Sequence, residues 1–173
     1  MHVMFVPSWY SNPRNLTHGS FFKEQALALV EEGMNISIAY NEIWPLPLIL
    51  KNKEKIGLYY NLEDDLKTYR YKNYNYLPKN KNMFYFFNRR LEKLYKEIVK
   101  KEGKVDIIHA QSSFWGGISA AYVAKKYNIP LIITEHSSFK TAIYIKDSYK
   151  DFIINSYKEA DKLIAVSHSL KNE

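Results

Sequence analysis

Ile129-Pro130-Leu131-Ile132-Ile133-Thr134-Glu135-His136 is the stretch on which the fold turns. Leu131, Ile132 and Ile133 follow one another without a polar interruption, so a strand built from them has no wet face. Strands of that kind belong to parallel sheets covered by helices on both sides. After Ile133 the character changes abruptly to Thr134-Glu135-His136-Ser137-Ser138, hydrogen-bonding residues suited to a loop at the strand's carboxyl end. Asp106-Ile107-Ile108-His109 repeats the pattern, and a helix around residues 118–127 separates the two strands.

Working outward, Phe84, Phe87, Leu91, Leu94, Ile98 and Val99 form one stripe with Arg, Lys and Glu between them. This predicts a long helix that Gly103 ends. At the start of the chain, residues 2–6 form a short apolar strand stopping at Pro7, followed by a long polar turn through Ser8, Asn12, Pro13 and Asn15. Ser20 is placed to cap a helix in which Phe21, Phe22, Gln25, Ala26, Leu29 and Val30 recur at helical spacing, with Gly33 just past its end. Residues 34–40 then give a second strand, an opening that calls for parallel pairing. Between residues 41 and 65 the periodicity fails, because Pro45 and Pro47 interrupt an apolar run and Lys51, Lys53 and Lys55 follow. That segment reads as an excursion from the core. Residues 68–76 alternate aromatic and polar side chains as an edge strand would, closed by Pro78. A polar loop follows residues 130–134, and residues 163–166 supply a last strand leading into a helix start. The expected fold is α/β: a Rossmann-like, doubly wound, mainly parallel sheet flanked by helices. Right-handed crossovers then put the helix N-termini and strand carboxyl ends on one edge, where ligands of such folds bind.

The 173 residues suffice for one domain, and 46% hydrophobic with 25% charged residues is the balance of a folded chain. No cysteine is present, so disulfides and zinc-thiolate sites are excluded and a cytoplasmic setting is the default expectation. No signal-like or membrane-spanning apolar run occurs. The net charge of +7 favours phosphate-bearing partners without choosing among nucleotide sugar, anionic membrane and nucleic acid. Nucleic acid is the least favoured, since no recognition motif accompanies the basic residues.

Four loops follow strand ends: residues 7–19, 110–117, 135–139, and from Ser167 onward. In the first, Thr17-His18-Gly19-Ser20 precedes a helix whose free amides and positive dipole end suit a phosphate. The same residues could equally form only a turn and a cap. No G-x-G-x-x-G follows the first strand and no P-loop is present, which disfavours nicotinamide enzymes and ATPases. His109 and His136 each end a strand and would share one crevice; His136, inside the polar run, is the stronger functional candidate, although strand-end histidines are commonly structural. His18, His109 and His136 lack the close spacing of a metal site, and Glu63-Asp64-Asp65 reads as a solvated loop. Ile43-Trp44-Pro45-Leu46-Pro47-Leu48-Ile49-Leu50, with lysines after it, suits either the interfacial zone of an anionic membrane or a packed loop.

These residues together resemble the N-terminal domain of the family 4 glycosyltransferases, enzymes with two Rossmann-like domains facing across a cleft. The resemblance covers nearly the whole chain. It is carried by Gly19-Ser20-Phe21 with Gln25-Ala26 and Leu29, by Val105-Asp106-Ile107-Ile108-His109-Ala110, by the strand opening this section, and by Ala160-Asp161-Lys162-Leu163-Ile164-Ala165-Val166-Ser167. It implies that the loop before the first helix approaches the donor diphosphate and sugar through Gly19 and Ser20. The family commonly has two glycines there, whereas His18 holds the preceding position here. It also implies that His136 contacts the donor sugar at the reaction centre, and that the first and middle loops shape the acceptor site, with His18, His109, Ser112 and Trp115 as candidates. Such enzymes continue into a C-terminal domain holding most nucleotide-sugar contacts and an E-x7-E pair, while this sequence stops at Glu173.

The expectation is therefore the acceptor-side half of a bacterial, retaining, metal-independent glycosyltransferase of polysaccharide biosynthesis, without a cofactor and inactive alone. It would act on a nucleotide sugar and a glycan or lipid-linked acceptor, in the cytoplasm or at the inner face of the membrane. Half of a sugar-nucleotide epimerase is the nearest alternative, and a noncatalytic protein or membrane docking module is another.

Overall fold

All six residues of the first strand, β1 (His2–Pro7), are buried, and they alternate between two cores. Val3 and Phe5 pack with Phe22 and Ala26 of α1 (Ser20–Glu31), while Met4 and Val6 pack with Leu91, Leu94 and Ile98 of α2 (Met83–Glu102). Both faces of the strand are thus covered by helices, as a continuous apolar run requires. Full burial of a side chain such as Phe5 or Phe22 contributes ~1.5–3 kcal/mol. The computed structural model describes residues 1–12, 15, 17–138, 142 and 145–173; Pro13 and Phe139, both read as loop positions, lie outside these.

The remaining strands are β2 (Asn35–Trp44), β3 (Gly57–Glu63), β4 (Leu66–Tyr74), β5 (Ile107–Gln111), β6 (Leu131–Glu135) and β7 (Lys162–Ala165). The other helices are α3 (Ile118–Tyr127), α4 (Asp147–Glu159) and the short α5 (His168–Lys171). The sheet runs β3-β4-β2-β1-β5-β6-β7, parallel throughout except for the antiparallel β3 against β4. This is the Rossmann-like α/β arrangement expected. The chain leaves β1 toward β2 on one side and returns to it through β5 on the other, so the strand order reverses between β1 and β5. In sheets of this type that switch point opens a crevice at the carboxyl edge. A third apolar cluster lies beside it, where Met83, Phe84 and Phe87 of α2 meet Phe114, Ile118, and Tyr149 and Ile153 of α4.

Several local readings change. The strand over residues 68–76 is not an edge: β4 lies inside the sheet, and β3, drawn from the supposed excursion, covers it. β2 runs on to Trp44, in register with Tyr74. Asp64 and Asp65, both at positive φ (47° and 63°), form the two-residue turn of the β3–β4 hairpin, the geometry of a type I′ turn. Ser20 does not cap α1. Gly19 occupies the N-cap in the left-handed region (φ 73°) and Ser20 is already helical, so the helix starts without a side-chain cap bond. At its other end, Gly33 donates to the Val30 carbonyl and Met34 to that of Leu29, the paired bonds of a Schellman motif. α4 fills what reads in the sequence as only a polar loop and an approach to the last strand.

Candidate functional site

Ser8 ties the loop after β1 to the loop after β5. Its amide donates to the Gln111 carbonyl (3.1 Å) and its hydroxyl to the Ser112 carbonyl (2.9 Å), while the Gly116 amide donates back to Ser8 Oγ (3.0 Å). The Trp115 indole N–H completes the splice on the Ser8 carbonyl at 3.0 Å. A Cβ on Gly116 would sit 2.9 Å from Ser8 Oγ and 3.2 Å from both the Ser8 nitrogen and the Val6 oxygen, so only glycine fits beneath β1 here. The Phe114–Trp115 peptide is cis.

The splice forms one wall of a cleft of about 870 Å³ at the switch point. Trp9 and His18 line it from the first loop, Phe114 and Trp115 from the middle loop, and Ser137 from the loop after β6. Met83 and Tyr149 close it from the helices α2 and α4, and Lys79 and Lys146 stand just before those helices. His18 stacks on Trp9 with ring centroids 6.3 Å apart, and Phe114 stacks on Tyr149 at 5.6 Å. Burial pushes the Tyr149 hydroxyl above its usual range, so it stays neutral and can donate a hydrogen bond.

Gly19 is buried against Trp9: a Cβ there would lie 2.8 Å from the Trp9 carbonyl, and φ of 73° already disfavours any side chain. The Ser20 amide turns back to the Thr17 carbonyl and that of Phe22 to Gly19, whereas the Phe21 amide has no partner among the described residues. The helix therefore presents an unfilled donor at its positive end, next to the cleft residue His18.

Beneath the cleft runs a chain of uncharged polar groups. Thr134 Oγ1 lies 2.9 Å from His109 Nε2, Gln111 Nε2 lies 3.1 Å from the same nitrogen, and Gln111 Oε1 accepts from His136 Nε2 at 2.8 Å. Burial, helped by the neighbouring His136, pushes His109 down to about 4. Burial also lowers His136, with Glu135 pulling weakly the other way. Both imidazoles are neutral at pH 7, and with Nε2–H given to Gln111, His136 keeps Nδ1 as an acceptor. Phe21 and Phe22 hold its ring at 5.3 and 5.0 Å.

Glu135, read from the sequence only as the loop's first residue, is the anchor of two loops. Its Oε2 accepts from the Ser113 amide (2.9 Å) and the Tyr157 hydroxyl (2.8 Å), and its Oε1 from the amides of His136 (2.9 Å) and Ser137 (3.0 Å). Burial raises its pKa, but these donors outweigh burial and hold the carboxyl below the usual carboxylate range.

The predicted site residues thus separate. His18 and Trp115 line the cleft, Gly19 and Ser20 start the helix behind it, and His136 joins Gln111 at half-burial. His109 and Ser112 are buried below, Ser112 at φ 63° with an unpartnered hydroxyl. No three His, Asp or Glu among the described residues converge as a metal would need, so His18, His109 and His136 are not one cluster. The sequence pattern does not mark Trp9, Lys79, Lys146 and Tyr149 as site residues. Trp9 and Tyr149 offered only their aromatic character, and nothing local in the sequence pairs the two lysines. Trp44 is buried and donates to Glu42 at 3.0 Å, whereas Ile49 and Leu50 protrude, Leu50 at 95% exposure. No helix among the described residues is long and apolar enough to cross a membrane.

Comparison with known proteins agrees with this geometry. The model of glycosyltransferase family 4 matches residues 21–173. An uncharacterized glycosyltransferase of Methanocaldococcus jannaschii is 33% identical over 113 residues, a match covering 64% of this chain and 31% of that relative.

Proposed function

Because the chain belongs to glycosyltransferase family 4, we propose that it forms the acceptor-side wall of a two-domain retaining enzyme that moves a sugar from a nucleotide-sugar donor to a glycan or lipid-linked acceptor. The observation that carries this reading is the cleft at the β1/β5 switch point. Its Trp9, Phe114, Trp115 and Tyr149 walls suit the apolar faces of sugar rings, and its hydroxyl and imidazole groups suit their edges. The Phe21 amide, without a partner among the described residues, would donate to a phosphate oxygen of the donor.

In retaining transfer, positive charge grows on the sugar ring while negative charge grows on the departing diphosphate. His136, neutral and fixed by Gln111, Phe21 and Phe22, would accept a hydrogen bond from a donor-sugar hydroxyl through Nδ1 and so hold the ring in reactive position. Its role is positioning, not proton abstraction. Residues beyond this match in longer relatives would supply most donor contacts, and residues 1–173 alone would turn over no nucleotide sugar. The reading is tested with a longer, active enzyme: His136→Ala should lower turnover tens- to several-hundred-fold, a loss of about 2–4 kcal/mol, with little change in thermal stability. Near-normal turnover of that variant at saturating donor removes His136 from the site, and turnover by residues 1–173 alone removes the two-domain requirement.

The same carboxyl edge supports peripheral contact with an anionic membrane. Ile49 and Leu50 protrude beside exposed Lys51, Lys53 and Lys55. Flotation with anionic liposomes should weaken for Ile49→Ser with Leu50→Ser, and be unaffected by them if the loop serves another surface.

A further inference from the structure

Lys79 and Lys146 are 67 positions apart, yet the Lys146 ammonium donates to the Lys79 carbonyl at 3.0 Å and both residues line the cleft. Among the described residues neither ammonium pairs with a carboxylate, and no Asp or Glu lines the cleft. Asp147, next in sequence to Lys146, is bound to Lys150 at 2.7 Å and points into solvent at 94% exposure. Lys79 itself sits at φ 64°, a conformation that L side chains rarely adopt, in the turn just ahead of α2. Other cations close to carboxylates are paired, Arg70 with Glu42 and Glu63, Lys67 with Glu102 and Lys126 with Glu92; what sets Lys79 and Lys146 apart from the remaining surface lysines is their place together at the cleft. Two unpaired cations joined at the rim of an aromatic-walled cleft are complementary to an anion attached to something flat or apolar.

We propose that the cleft selects an acceptor carrying an anionic group, a phosphate or a carboxylate, held by Lys79 and Lys146 while the adjoining sugar ring or prenyl chain lies against Trp9, Phe114, Trp115 and Tyr149. The proposal rests on the reading of this cleft as the acceptor site. It names two cation contacts that set specificity and has no covalent step.

The test uses the full chain and its own tryptophan fluorescence, since Trp9 and Trp115 line the cleft and Trp44 lies buried elsewhere. Quenching is titrated with farnesyl diphosphate against farnesol, and with methyl glucuronide against methyl glucoside, so that a lipid phosphate and an acidic glycan are read separately. UDP and inorganic pyrophosphate serve as donor-side probes. At least one anionic member should bind about 10-fold more tightly than its neutral counterpart. Lys79→Gln with Lys146→Gln should erase that ratio and leave neutral binding unchanged, and Lys79→Arg with Lys146→Arg should restore it. Equal binding of charged and neutral members, or a ratio indifferent to the lysines, overturns the charge selection while leaving the acceptor reading intact. UDP or pyrophosphate binding as tightly as farnesyl diphosphate, with the same lysine dependence, reassigns the pair to the donor and overturns it too. No quenching by any probe overturns both the selection and the acceptor reading.

Discussion

On the β2–β4 side of the central strand, Arg70 is buried between two carboxylates: it reaches Glu63 at 2.7 Å, Glu42 at 3.3 Å and the Ser11 carbonyl at 2.7 Å, with the Tyr10 and Tyr40 rings beside it. On the β5–β6 side the groups beneath the cleft are two neutral histidines, a glutamine and a threonine, and the cations stand unpaired at the rim. One half keeps its charge buried and answered from within. The other keeps its histidines neutral, answers its buried Glu135 with amide and hydroxyl donors rather than a cation, and leaves its lysines where a ligand can meet them. Local counter-charge thus separates a cation that serves the fold from one available to serve binding.

The sharpest way to break this contrast is Arg70→Ala, which strands the buried Glu42 and leaves the half-buried Glu63 without its cation. Loss of such a partner costs about 3–5 kcal/mol, read by chemical denaturation. A loss below about 1 kcal/mol would mean the β2–β4 half is as open as the β5–β6 half. Next come the neutral histidines. His109 titrates near 4 when folded against its ordinary 6.5, so between those values the unfolded chain binds the extra proton. The stability this confers is complete above pH 6.5 and falls as pH drops through 4, by about 3 kcal/mol in all. His109→Gln should shrink the fall over that stretch of the stability–pH curve, leaving the part that His136, also lowered by burial, contributes just below pH 6.5 and the loss that Glu135 contributes at lower pH, where its depressed carboxyl takes up a proton. An unchanged curve would mean His109 is already charged.

Smaller effects sharpen the boundary between the halves. Gly116→Ala pushes a methyl into the Ser8 splice and should cost about 1–3 kcal/mol while moving Trp115 and weakening any cleft ligand. Lys79→Gln with Lys146→Gln should shift stability by no more than about 0.5 kcal/mol, because neither exposed cation faces a carboxylate and the one bond lost, from Lys146 to the Lys79 carbonyl, is open to water. A larger shift would place these lysines with Arg70, among the cations of the fold.

The sequence showed the strands buried on both faces plainly. Leu131-Ile132-Ile133 and Ile107-Ile108 can belong to little else, and the α2 stripe fixed a helix that Gly103 indeed terminates. β3 was illegible because its alternating Leu58, Tyr60 and Leu62 point to solvent at 36–61% exposure, and a strand with no buried face resembles an irregular segment. Its turn hid as well, since Asp64-Asp65 takes φ values usually left to Asn-Gly or Asp-Gly. α4 left a trace in Tyr149, Ile153 and Tyr157 at four-residue spacing, too sparse to separate from the polar residues between them. For the site, strand ends located the right loops, because topology alone puts them on one edge. They could not rank the residues within those loops. The polar run around His136 favours it over His109, but only packing shows one buried and the other half-open. Glu135 and the lysine pair act through partners distant in the chain, which no local pattern records.

The placement of β1 also bears on how the protein is made. Among the described strands, β1 precedes the others in the chain and becomes the centre of the sheet, and one of its edges is completed only by β5, with Asp106 bonding back to His2 across 104 positions. At translation rates of about 5–20 residues per second, that edge waits roughly 5–20 s for its partner. During the wait an apolar strand with no charged residue stands unpaired on one side, a template for intermolecular pairing on crowded ribosomes. The most protected strand of the finished molecule is therefore the one most in need of a holding chaperone during synthesis, and codons that slow elongation between β2 and β5 should lower soluble yield without altering a single contact of the native state.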